Sequence, residues 1–134
     1  MLCLDTNVIV ALLNGKPTSR KRYAAARQAQ EPLALSTVAL FELRFGADNS
    51  PWPRRSHKAL DLFLEDAVAI LDFDAEDARE AGAIRADLRA KGTPIGPYDT
   101  LIAAQARRRG ATLGTSNRSE FARVPGLLVE DWEG

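Results

Sequence analysis

The sequence predicts an α/β fold in which a central, mostly parallel sheet is covered by helices on both faces. Two observations carry the prediction. Short apolar runs alternate along the chain with longer stretches of helical period, the pattern of repeated βα units. The first run, Leu2-Cys3-Leu4, stops on Asp5 and feeds directly into a second apolar run at 8–13, so that a buried strand turns into a buried helix. In open α/β sheets ligands bind outside the carboxyl ends of the strands, which is where Asp5 would stand. Asp5 and Thr6 also suit the cap of that helix, since both residue types satisfy free N–H groups there.

The remaining elements follow in order. Asn14-Gly15-Lys16-Pro17 is a turn, and Pro17 opens a second helix over about 17–30, ended by Glu31-Pro32. Residues 33–35 read as a short strand, and Ser36 or Thr37 caps a third helix over 38–47. The loop at 48–53 leads into a helical stretch at 54–66, followed by a third strand at 68–71. A long helix at 75–90 ends at Lys91-Gly92, with Gly92 closing it. Pro97 opens the next helix, which reaches Arg109-Gly110, and a strand at 111–115 comes after it. A short turn around Ser119-Glu120-Phe121 precedes a last strand at 127–129. Tyr23, Trp52 and Phe63 fit a core or an interface equally well.

At 134 residues, 46% of them hydrophobic and 27% charged, the chain has the composition of one folded domain, residues 1–134, large enough for a real core. Its longest apolar stretch is too short to span a bilayer and no basic segment precedes it, so neither a membrane span nor a signal peptide is expected. The lone Cys3 cannot form an internal disulfide, which fits a reducing, cytoplasmic location. Eighteen basic and eighteen acidic residues cancel, so bulk charge does not point to nucleic acid. Arg20-Lys21-Arg22, Arg54-Arg55 with His57-Lys58, and Arg107-Arg108-Arg109 are local basic clusters, ordinarily solvated helix faces and in a minority of cases phosphate contacts.

Two further acids stand where acids are costly. Helical positions advance by about 100° per residue. In the third helix Val38, Phe41 and Phe45 make an inward stripe, and Glu42 falls within it. A carboxylate there must be paired, bind a cation or hold a raised pKa; an ion pair to an arginine is the structural alternative. Asp99 shares a helical face with Ile102, Ala103 and Ala106, and its place in the first turn is also favoured by the helix dipole. Three acids from distant segments, each at the sheet-side end of an element, suggest a cluster that would repel itself without a divalent cation. All-oxygen ligation suits Mg²⁺ or Mn²⁺. Zinc is disfavoured, because His57 is the only histidine and Cys3 the only cysteine. A Ser-His-Asp site would have to recruit His57 from a basic, surface-like stretch, and no phosphate-loop or dinucleotide signature is present.

With Asp5, Glu42 and Asp99 placed, the chain resembles the PIN-domain ribonucleases, and among them the VapC toxins of bacterial type II toxin–antitoxin pairs. The resemblance spans essentially the whole length. It rests on Leu4-Asp5-Thr6-Asn7; on Ser36-Thr37-Val38 through Glu42-Leu43 and Gly46-Ala47; and on Ile84-Arg85-Ala86. Gly92-Thr93-Pro94-Ile95-Gly96-Pro97-Tyr98-Asp99-Thr100 continuing to Ala103 adds to it, as do Thr115-Ser116-Asn117, Glu120-Phe121, Val124-Pro125-Gly126-Leu127 and Glu130-Asp131-Trp132. Each motif is weak alone; their order is specific.

The resemblance implies a three-layer α/β/α PIN-like fold and Mg²⁺-dependent endoribonuclease activity on a tRNA or rRNA loop, with Mn²⁺ as an alternative ion. It implies that Asp5, Glu42 and Asp99 are the acidic metal-site residues and that Asn117 occupies the fourth catalytic position, often Asp in such domains. Thr6, Thr115 and Ser116 fit a second layer that orients the carboxylates. Glu120 is either a further ligand or an exposed turn acid. Arg85 shares a face with Ala81 and Leu88, which suits either a contact to RNA phosphate or an ion pair with Glu42 or another acid. Arg107, Arg108 and Arg109 are further candidates for phosphate contact. Implied partners are a cognate VapB-type antitoxin, promoter DNA reached only through that antitoxin, and a second copy in a homodimer, with no membrane partner. Two other functions share features with this one: a catalytically silent PIN module, favoured by Asn117, and a PIN-class nuclease acting on DNA. A dehalogenase-type phosphatase needs a second Asp two residues after the first, where this chain has Asn7.

Overall fold

The computed structural model describes residues 1–66 and 68–132; the last two residues of the expected domain, Glu133 and Gly134, lie outside that range. Five strands form one wholly parallel sheet: β1 (Leu2–Leu4), β2 (Leu33–Ser36), β3 (Val68–Leu71), β4 (Thr112–Thr115) and β5 (Leu128–Asp131), in the order β3-β2-β1-β4-β5. Seven helices are described: α1 (Thr6–Leu13), α2 (Pro17–Gln28), α3 (Thr37–Asp48), α4 (Pro53–Leu64), α5 (Ala75–Ala90), α6 (Pro97–Arg108) and the short α7 (Arg118–Phe121).

β1 is central because it is apolar throughout and buried on both faces, the composition of an interior parallel strand. From β1 the chain moves outward through β2 to β3, then crosses back to β4 on the other flank of β1. Parallel crossovers are right-handed, so the two directions of travel put their helices on opposite faces of the sheet. The carboxyl ends of β1 and β4 therefore lie at the switch point of the topology, where open α/β sheets form their sites.

Most helices start where the sequence says they should. Pro17 and Pro97 each occupy a first helical turn, Pro53, expected to end a loop, is instead the first residue of α4, and the Ser36 hydroxyl accepts from Val38 N at 2.9 Å as the cap of α3. α5 opens with a reciprocal box that sequence reading overlooked: Asp77 N donates to Asp74 and Asp74 N donates to Asp77, at 2.8 and 3.1 Å. Helix ends and the outer strands shift by one or two residues from the expected boundaries, as frayed termini do.

One expectation is overturned. Phe41 and Phe45 do not face the core; both are exposed, and α3 buries Ala39, Leu43 and Ala47 instead. The helix has a wide apolar arc, and the small-residue side lets it approach its neighbours closely. Glu42 consequently flanks the buried face rather than lying in its middle, and is half-buried. At β4, glycine is demanded by a neighbour: a Cβ on Gly114 would stand 2.6 Å from the indole Nε1 of Trp132. Of the three aromatics left open, Tyr23 and Phe63 pack on the core while Trp52 is exposed.

Candidate active site

Asp5 leaves β1 at the switch point with its backbone tied to β4, Asp5 N donating to Gly114 O at 2.9 Å. Its side chain is buried and fully engaged. Oδ1 caps α1 by accepting from Thr6 N at 2.8 Å, and Oδ2 accepts from the Thr115 hydroxyl at 2.8 Å. The two roles considered for Asp5, helix cap and site residue, are thus compatible. Thr6 then reaches sideways to α3, where its hydroxyl donates to Glu42 Oε1 at 2.8 Å. Thr115 accepts from Asn117 N at 2.9 Å, which fixes the hydroxyl proton toward Asp5.

Asp99, in the first turn of α6, joins these acids electrostatically. Burial pushes its carboxyl up to about 7, and the charges of Asp5, Glu120 and Glu42 together with a hydrogen bond to Glu120 push in the same direction. Asp5 is raised as well, chiefly by burial, against the opposing hydrogen bonds from Thr115 and Thr6. Glu120 is the residue that sequence reading undervalued. It is not an exposed turn acid: it is half-buried, Oε1 accepts from Gly96 N at 2.9 Å, and Oε2 takes a very short hydrogen bond from the Asn117 side-chain amide. The signal was present in the spacing, since Asn117 and Glu120 stand three residues apart across the start of α7.

Not every expected residue arrives. Ser116 makes no hydrogen bond to the acids among the described residues. Arg85 is exposed and forms no ion pair among the described residues, with Glu42 or any other acid; it lines an open groove of about 710 Å³ beside Tyr98, Pro97 and Ile95. Arg107, Arg108 and Arg109 sit at the far end of α6 and are committed there: Arg107 to Glu80, Arg108 to Asp74 and Asp77, Arg109 to Asp77. Their charges are thus already paired with acids of α5 and its cap.

The four carboxylates of Asp5, Glu42, Asp99 and Glu120 have no lysine, arginine or histidine paired with them among the described residues. They are gathered loosely: among the described residues no group of three or more His, Cys, Asp or Glu side chains is placed to hold a metal ion as it stands. The donor set is nonetheless all oxygen; the nearby thiol of Cys3 is buried and pushed up to about 11, chiefly by that burial, so it offers no thiolate. Uncompensated carboxylates that raise one another's pKa fit a hard divalent cation.

A model of the PIN domain family matches residues 2–127 of this chain. A tRNA(fMet)-specific endonuclease VapC from Shigella flexneri is 41% identical over 130 residues, covering 96% of each chain. Among solved structures, VapBC2 of Rickettsia felis bound to a promoter DNA fragment superposes with a TM-score of 0.91 at 34% identity, covering 98% of both chains. DNA-bound VapBC of Salmonella typhimurium gives 0.89 at 38% identity, over 98% of this chain and 97% of that one.

Proposed function

The chain belongs to the PIN-domain family, and on that premise we propose that it is the toxin of a type II toxin–antitoxin pair, an endoribonuclease that hydrolyses a tRNA phosphodiester with the help of Mg²⁺. One observation carries the chemistry. Carboxylates from four separate segments converge at the switch point with no cationic partner among the described residues, and burial, joined by the charges of the other three acids, lifts Asp99 to about 7. Such a cluster is stable only protonated or around a cation.

In this reading Asp5, Glu42 and Asp99 hold the ion, with Glu120 completing the acidic ring and Asn117 in the fourth position orienting it. A bound Mg²⁺ would polarise the phosphoryl oxygens and lower the pKa of a water for in-line attack, leaving a 5′-phosphate and a 3′-hydroxyl. The chain's own part is orientation. Thr6 and Thr115 hold Glu42 and Asp5 by hydrogen bonds of 2.8 Å, and Gly96 N holds Glu120 at 2.9 Å, which limits the directions in which these carboxylates turn as they draw together on an ion. Arg85, exposed and without an ion pair among the described residues, is available to an RNA phosphate at the rim.

A tRNA is favoured as substrate because a relative of 41% identity is a tRNA(fMet)-specific endonuclease. Selection of a loop follows from the physics of RNA, since a regular A-form helix hides its base edges in a deep, narrow major groove while an unpaired loop can splay its bases out. Two solved relatives are toxin–antitoxin complexes on DNA, which supports a VapB-type antitoxin that covers this acidic site and carries the pair to its promoter. We further infer a homodimer that acts in the cytoplasm; among the described residues no helix is long and apolar enough to cross a membrane.

The test is cleavage of total cellular RNA by purified protein with Mg²⁺ or Mn²⁺, with fragment ends mapped, beside EDTA and an Asp5→Asn control. Metal-dependent cuts confined to a tRNA loop, absent in the control, are expected. Cuts that survive Asp5→Asn would contradict the mechanism.

A further inference from the structure

Two residues that precede the acids in sequence are aromatic, and neither is used by the chemistry above. Phe41 stands before Glu42 on α3, and Tyr98 before Asp99 on α6. Adjacent helical residues diverge by about 100°, so these rings border the acidic cluster instead of entering it. They meet across the two helices, ring centroids 5.5 Å apart and planes inclined at 65°. Both remain open to solvent, Phe41 at 53% and Tyr98 at 46% exposure, and no hydrogen bond engages the Tyr98 hydroxyl among the described residues.

An edge-to-face pair uses one ring's edge and a single face of the other, so ring faces remain uncommitted. Each ring also restricts the other, which lowers the entropy lost on binding a third plane. Exposed aromatics held rigidly beside a site for unpaired RNA are the means by which proteins grip splayed bases. We propose that Phe41 and Tyr98 form a stacking platform for the unpaired base next to the scissile phosphate. The proposal rests on the nuclease reading and adds to it a determinant of which nucleotide is cut.

Phe45 supplies the internal control. It lies one turn beyond Phe41 on the same helix, is 63% exposed and makes no ring contact among the described residues. A protein partner or a second copy laid on this side of α3 would take up Phe45 with Phe41. A base stacked beside the acids would leave it alone.

The experiment compares tRNA(fMet) with the same RNA made abasic at each nucleotide flanking the mapped cut, for wild type, Phe41→Ala, Tyr98→Ala, Tyr98→Phe and Phe45→Ser. One abasic position should lower wild-type kcat/KM by roughly five- to a hundredfold. Phe41→Ala and Tyr98→Ala should lose a similar factor on intact RNA and nothing more on the abasic one, while Phe45→Ser behaves as wild type and Tyr98→Phe, which retains the ring, retains the difference between intact and abasic RNA. Losses that are the same on intact and abasic RNA would overturn the platform. So would a Phe45→Ser loss as large as that of Phe41→Ala, especially with a changed oligomeric state, which would assign the face to a protein. Failure of the nuclease reading looks different, because wild type itself then cleaves nothing. In that event the platform is read by binding, with 2-aminopurine placed at each unpaired position of tRNA(fMet) in turn. Quenching lost in Phe41→Ala would support it, and no quenching at any position would overturn it.

Discussion

Helix α6 has a cluster of carboxylates at each end, and the two are built in opposite ways. At its first turn Asp99 faces Asp5, Glu42 and Glu120 with no cationic side chain paired to them among the described residues, and its carboxyl is lifted to about 7 by burial and like charge. At its last turn Asp77 is wholly buried, yet it accepts from Arg108 Nε at 2.7 Å, Arg109 Nη1 at 2.8 Å and Gln105 Nε2 at 3.3 Å. Burial alone would raise Asp77; the hydrogen bonds from Arg109 and Arg108 reverse that and hold it far below the usual carboxylate range. Twelve residues of helix, roughly 18 Å, separate the two ends. The lesson is that buried acid alone does not mark a site. The chain neutralises one cluster with its own arginines and, among the described residues, gives the other no cationic partner.

The strongest way to break this comparison is to remove an acid from the unneutralised end. Asp5→Asn keeps the shape and the Thr6 cap but should lower metal-dependent cleavage by about a hundredfold or more, since a divalent cation supplies several kcal/mol to such a reaction. Thermal melting should show a chain that is no less stable. At the other end the outcome inverts. Asp77→Asn strips two arginines of their buried partner and should cost about 3 kcal/mol in urea unfolding, while cleavage per folded molecule stays unchanged.

A finer cut tests the scaffold of the open end. Thr115→Val removes the hydroxyl that donates to Asp5 and accepts from Asn117 N. Calorimetric titration should show metal affinity weakened by about ten- to a hundredfold, as when ligand-orienting groups are lost.

The smallest effect is in the pH dependence of stability without added metal. Asp99 has its ordinary value of 3.8 when unfolded and about 7 when folded. Between those values the folded chain binds the extra proton, so unfolding free energy should fall as pH rises from about 4 to about 7 and stay low above it. Asp99→Asn should flatten that slope, by about 1 kcal/mol once solvent around the half-buried carboxyl is allowed for. Asp77 acts in the opposite sense: its contribution is present above the ordinary carboxylate range and is lost only as acid drives the pH toward its depressed value.

The fold was legible because it rests on local signals. Pro17 and Pro97 open helices, Ser36 caps one, and short apolar runs separated by helices force parallel pairing. The three principal acids were legible for a related reason, as each sits at the start of an element or beside its buried face. What periodicity could not show was side-chain choice within a wide apolar arc. Phe41 and Phe45 looked like core because they are large, but α3 packs by its small residues Ala39 and Ala47 with Leu43. Glu120 and the arginines at 107–109 were misjudged for another reason. Both depend on partners far away in sequence, Gly96 for the first and the α5 acids for the second, and only the fold brings these together.

The most direct test of the contrast between the two ends is Mn²⁺ binding by calorimetry to wild type, Asp5→Asn and Asp77→Asn. Binding by wild type and by Asp77→Asn, abolished in Asp5→Asn, is the predicted result. Equal binding by all three would place the ion elsewhere and contradict the account.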